Sequence, residues 1–244
     1  MTREHFLHNL PYWATYTSNW FVDFAPGHPV VFAFAWSLAT EEQFYAVWPW
    51  LAKAPRMLMP VAALLLLAAD QGVELGVFGA GWPELARRIV AGIASPICMG
   101  ALLACALDDV HGFAHLRRLL GLRASAPAAL GILAVLVVEE RTPLVLVQLA
   151  MTLLVGACSI RPDHGLRAAL EARPVRFVGT ISYALYLVHV AAITAVKRLA
   201  PGLAESAPIV FAGGLALAVP LAYALHRLVD VPLQPLRARL RPAP

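Results

Sequence analysis

Two carboxylates sit side by side in an apolar stretch, Glu41 and Glu42 within Trp36-Ser37-Leu38-Ala39-Thr40-Glu41-Glu42-Gln43-Phe44-Tyr45. Ionisable groups are costly in such surroundings and face a cavity or a partner. On a helix, Ser37, Glu41, Tyr45 and Trp48 fall at i, i+4, i+8 and i+11 and share one face. Glu42 points about a quarter turn away. A carboxylate beside a tyrosine and a serine suits the positioning of a hydroxyl nucleophile, or the removal of its proton. Thr40 to Gln43 also reads as a capping box, with acidic groups in the first turn of a helix. A second stretch places Ser182, Tyr186 and His189 at i, i+4 and i+7. Its imidazole can act as an acid or base near neutral pH. The alternative is a hydrogen-bonded network that holds helices together.

Other groups carry less. His111 and His115, beside Asp108 and Asp109, have metal-ligand spacing but read as a solvated turn, so no metal site is expected. Asp70 and Glu74 read as pore-lining or as the interfacial end of a helix. Cys98 and Cys105 are seven residues apart on one apolar segment, too far to bridge. No phosphate-binding loop, dinucleotide fingerprint, nucleophile elbow or HExxH motif is present.

The elements that must position these residues follow from composition. Of 244 residues, 60% are apolar and 14% charged, and the mean hydropathy is +0.69. Soluble domains carry about 25% charged residues, so an integral membrane protein is expected. The net charge of +4 comes with no run of four basic residues, which argues against a nucleic-acid partner. Seven apolar runs approach the length that spans a bilayer: Val30–Leu51, Met57–Gly79, Ile89–Leu107, Ala124–Val138, Pro143–Ile160, Phe177–Val196 and Pro208–Val229. They lack alternation, so the fold class is all-α, a polytopic transmembrane bundle of about seven helices here.

Alternate loops and the tail hold thirteen of the basic residues, and the opposite side holds six. That bias puts the C-terminus in the cytoplasm and the first segment outside. Residues 1–29, with His5, His8, Asn9, Trp13 and Tyr16, read as an extracytoplasmic loop with aromatic anchors rather than a signal peptide. A transmembrane domain is expected over 30–232 and a cytoplasmic tail over 233–244. A start outside predicts an odd number of further helices upstream.

Three ordered motifs carry a family resemblance. Trp36 to Pro49, W-S-L-A-T-E-E-Q-F-Y-A-V-W-P, resembles the W-S-L-S-V-E-E-Q-F-Y-x-x-W-P hallmark of the membrane acyltransferase-3 family. Gly179 to His189 is similar to that family's G-x-I-S-Y-x-L-Y-L-x-H. Tyr223 to Pro232 is similar to its closing Y-x-x-x-x-x-x-E-x-P, with Asp230 in place of Glu. The resemblance implies a multipass protein of the bacterial inner membrane that moves an acyl group, commonly acetyl. The donor would be acyl-CoA on the cytoplasmic side, with no bound cofactor. The acceptor would be a hydroxyl of a glycan or another small polar molecule. Glu41 and Glu42 would be catalytic, and Ser37, Tyr45, Tyr186 and His189 would line the substrate channel. The Arg and His that the family carries near its N-terminus have no match upstream of Trp36. The chain therefore resembles the C-terminal two-thirds of an O-acyltransferase, with an N-terminal portion as its partner. Two rival readings are a transporter or exporter of a polar solute and an inactive fragment or scaffold. The first predicts a duplicated half, which this sequence lacks.

Overall fold

The computed structural model describes residues 3–22, 35–77, 81–203 and 206–240, and they contain helices and no strands. The order is α1 (Arg3–Ala14), α2 (Ser18–Phe21), α3 (Ala35–Lys53), α4 (Leu58–Glu74), α5 (Glu84–Ala91), α6 (Ser95–Asp108) and α7 (Val110–Leu120). Then come α8 (Ser125–Val138), α9 (Leu144–Ile160), α10 (Arg167–Leu170), α11 (Arg173–Leu199), α12 (Ala207–Leu225) and α13 (Val231–Leu240). A five-residue π turn, His226–Asp230, joins α12 to α13. The all-α polytopic class expected from composition holds.

Prolines and polar caps set the boundaries. Pro83 and Pro143 directly precede α5 and α9, and Pro96, Pro174 and Pro208 sit in the first turn of α6, α11 and α12. Proline suits that place because its missing N–H would have no helical partner there. Asp109 caps α7 by accepting the Gly112 amide at 2.7 Å. The expected third span, Ile89–Leu107, is broken into α5 and α6, which meet at 46°. The segment of His111 and His115, expected as a loop, is the helix α7, which meets α8 at 73°. Residues 3–14, also expected as a loop, form α1. Val30 to Phe34, the start of the expected first span, and Arg241 of the tail lie outside the described residues.

Two helices are long and apolar enough to cross a membrane unbroken, Arg173–Leu199 and Ala207–Leu236. The bent pairs α5–α6 and α7–α8 bring this to four if each is one span. Large apolar side chains remain exposed along these elements, such as Val138 at 81% and Phe211 at 69%. A chain solvated by lipid tails needs no apolar cover there.

The chain forms two compact units. The first runs to Ala168 and holds α1 to α9, and the second begins at Ala169 and holds α11 to α13. In both units the buried positions are mostly small. Ala126 and Ala129 of α8 and Ala150, Gly156 and Ala157 of α9 are buried, and α8 packs on α9. In the second unit Ile181 and Ala184 of α11 pack with Ala222 of α12. A Cβ added at Gly214 would lie 2.9 Å from Ile193 Cγ1, which shows how near the two backbones come. Lipid tails are as apolar as leucine, so close packing rather than hydrophobic transfer joins such helices.

Ala222→Leu should therefore destabilise the second unit by about 1–3 kcal/mol, the cost of overpacking a filled site. Thermal unfolding in detergent measures this, with Phe211→Leu at an exposed site as the control. An unchanged midpoint for Ala222→Leu would show that α11 and α12 do not pack here as described.

Candidate active site

The Glu-containing motif lies inside α3, so the shared-face geometry expected for Ser37, Glu41, Tyr45 and Trp48 is retained. Ser37, Glu41 and Glu42 are half-buried and Tyr45 is exposed. The capping-box reading is corrected. Thr40 is six residues into α3, and its hydroxyl lies 3.2 Å from the Trp36 carbonyl and 3.1 Å from that of Gly92.

The polar anchors of α3 are Thr40 and Gln43, which sit three apart on another face. Asn19 donates from Nδ2 to Thr40 Oγ1 at 3.3 Å and to Gln43 Oε1 at 3.1 Å. Gln43 Nε2 lies 2.6 Å from the Tyr16 carbonyl and 3.0 Å from Asn19 Oδ1. Ser18 donates to the Ala35 carbonyl at 3.0 Å. This network ties α2, α3 and the α5–α6 bend together. Gly92 sits in that bend because a Cβ there would lie 2.9 Å from Asn19 Nδ2 and 3.1 Å from Trp20 Nε1. Rotation of α3 would break every one of these bonds, so the network fixes the direction of the Glu41 face.

A cavity of about 300 Å³ adjoins the anchored face, walled by Trp20, Phe44, Val47, Trp48, Ile93 and Cys98 with Thr40 and Gln43 at its edge. Phe44 and Trp48 stack with ring centres 4.6 Å apart. Thr40 and Gln43 are already hydrogen-bonded within the protein, while Trp20 Nε1 is buried without a partner, in a space that is otherwise mostly apolar.

Asp70 lies four residues before the end of α4. It is buried at 5% exposure and accepts a hydrogen bond from Ser95, itself 2% exposed, across α4 and α6. Gln71 Nε2 donates to Ser95 Oγ at 3.1 Å. His115 Nδ1 lies 2.7 Å from the His111 carbonyl on the same helix. Among the described residues no group of three or more His, Cys, Asp or Glu could hold a metal ion. All three cysteines are free.

In the second unit Ser182, Tyr186 and His189 lie on α11 as the spacing predicts. The packed face of that helix is the one with Ile181 and Ala184. Ser182 donates to the Gly179 carbonyl at 2.9 Å, and His189 Nδ1 lies 2.5 Å from the Tyr186 carbonyl. The Tyr186 and His189 rings are 5.4 Å apart. Among the described residues, Ser182 and His189 thus bond to their own helix backbone rather than to a neighbouring helix. The closing motif brings a residue that the spacing arguments missed. His226 Nδ1 lies 3.1 Å from Asp230 Oδ2, an i, i+4 pair held within the π turn.

The sequence pattern of the acyltransferase-3 family, an acyltransferase domain, matches residues 6–227. The chain belongs to this family. A Bacillus subtilis protein named as a candidate peptidoglycan O-acetyltransferase, YrhL, is 27% identical over 203 residues, 71% of this chain and 31% of that one. The peptidoglycan O-acetyltransferase OatA of Listeria monocytogenes is 26% identical over 215 residues, 73% of this chain and 32% of that one. The chain thus spans about a third of the length of these curated relatives. No solved structure matches it.

Gln43→Leu removes the amide from the network and leaves the Tyr16 carbonyl and one face of Asn19 without this partner. The expected cost is about 1–3 kcal/mol. Hydrogen exchange should speed up at residues 16–22 and in the first turns of α3, while α8 and α9 keep their protection. Uniform exchange across the first unit, or none, would remove the anchoring role.

Proposed function

We propose that the chain is the membrane part of a bacterial O-acyltransferase. It transfers an acyl group, acetyl in the first instance, from acyl-CoA to a hydroxyl of a glycan or another polar acceptor. One observation carries the reading: in a member of an acyltransferase family, α3 presents two adjacent carboxylates whose direction is fixed by hydrogen bonds on another face. The names of the two relatives, both O-acetyltransferases of peptidoglycan, support a glycan acceptor.

Glu41 is the stronger candidate for proton transfer, because Ser37 and Tyr45 share its face. As the acceptor oxygen attacks the thioester carbonyl, its proton passes to the carboxylate, the C–S bond breaks, and the carboxylate returns that proton to the departing sulfur so that CoA leaves as the thiol. Ser37 and Tyr45 bind and orient the acceptor. The apolar cavity beside α3 gives the acyl group a place without water. The site needs no metal or bound cofactor for this chemistry. The protein sits in the inner membrane with its C-terminus in the cytoplasm, a placement supported by the basic residues on alternate loops.

Acetyl transfer from labelled acetyl-CoA to a glycan acceptor, in membranes holding the protein at its natural full length, tests the site. Glu41→Gln and Glu42→Gln keep size and remove charge. At least one should lower turnover by about 10²-fold or more while the protein still folds. Full activity in both would leave the pair a structural feature of α3.

The orientation has its own check. A cysteine at position 167, with the three natural cysteines replaced, should react with a membrane-impermeant maleimide only in permeabilised cells. Labelling from outside intact cells would invert the topology.

A further inference from the structure

α7 departs from α8 at 73° and carries two kinds of exposed side chain. Val110 and Leu119 are exposed at 80% and 74%, and Arg117 and Arg118 occupy its last turn. A helix with exposed apolar and basic residues side by side lies in the headgroup plane of a bilayer.

The C-terminal end of α7 borders two cavities. One is polar, about 310 Å³, and is walled by Phe113, Arg117, Gly121, Ile160, Arg161 and Asp163. The other is an apolar cleft of about 400 Å³ between α8 and α9. Leu119 and Leu120 border it, and Ala128, Ile132, Leu149 and Leu153 line it.

The charges at the polar end do not cancel. Arg161 donates from Nη1 to the Gly121 carbonyl at 2.8 Å, which caps the end of α7. It also binds Asp163 at 2.7 and 2.9 Å. Arg123 binds the same carboxylate at 2.9 and 2.7 Å. The two guanidiniums, Arg161 first and then Arg123, hold the Asp163 carboxyl well below the usual carboxylate range. Even so, two cations share one anion. Arg117 adds another positive charge, and Asp163 is the only acidic residue in the cavity wall. A basic pocket that adjoins an apolar cleft, at the foot of an interfacial helix, matches a ligand with a phosphate at one end and a hydrocarbon chain at the other.

We propose that this end of α7 and the α8–α9 cleft bind one anionic phospholipid. Its phosphate sits at Arg117 and the Arg123–Asp163–Arg161 cluster, and one acyl tail lies in the cleft. The site is separate from the Glu41 face and does not depend on the acyl-transfer reading.

Native mass spectrometry of the full chain in detergent, titrated with phosphatidylglycerol or phosphatidylcholine, tests it. Phosphatidylglycerol should bind at least about fivefold more tightly, the gain of about one arginine against an anionic headgroup. Arg117→Gln should lose about that fivefold preference. Ala128→Phe, which fills the cleft from an exposed position, should weaken both lipids and leave the arginines in place. Inorganic phosphate at millimolar concentration should not displace the lipid. Equal binding of the two lipids, or an unchanged preference in Arg117→Gln, overturns the proposal. Full displacement by phosphate also overturns it and reassigns the pocket to a soluble anion.

Discussion

Helices in hydrocarbon gain nothing by hiding apolar surface from one another, and the rest of this structure follows from that constraint. What joins them must be close backbone approach or a hydrogen bond that lipid cannot supply. The protein uses both. Alanine and glycine bring α8 to α9 and α11 to α12. Asn19, Thr40 and Gln43 tie α2 and α3 to the bend at Gly92. Ser95 and Asp70 tie α4 to α6. Large side chains are left to face lipid, which inverts the habit of a soluble core.

The four residues Thr40-Glu41-Glu42-Gln43 divide their work by helix geometry. At about 100° per residue, the first and fourth lie close on one side and the middle pair point elsewhere. The outer two are spent on anchoring, so the inner two need not be. A carboxylate that reacts must be held in place by groups that do not, and in α3 one turn holds both the anchors and the carboxylate pair proposed to react.

Much of this was legible in the sequence. Composition and run length gave the helical membrane class, and the spacing of Ser37, Glu41 and Tyr45 survived because α3 is continuous. The anchoring role of Gln43 was hidden, because its partners are 24 and 27 residues away in sequence. A local reading of Thr40 produced a cap, since a threonine followed three residues later by glutamine has that pattern wherever the helix begins. The break at Gly92 was masked by hydropathy, which reads through a bend of 46° without change. His226 went unnoticed because its partner Asp230 was weighed only as a motif position. Pattern reading found what one helix shows on its own face and missed what depended on a neighbour.

The buried Asp70 bears on how α4 and α6 come together. While α4 stands alone, its carboxyl has no Ser95 to bond, and burying a carboxyl without a partner is strongly disfavoured. The hydroxyl that relieves it is 25 residues further along the chain, at the first residue of α6. α4 therefore cannot bury that face alone, and its packing waits on α6. A hydrogen bond that looks static in the finished fold makes two helices depend on one another for their place.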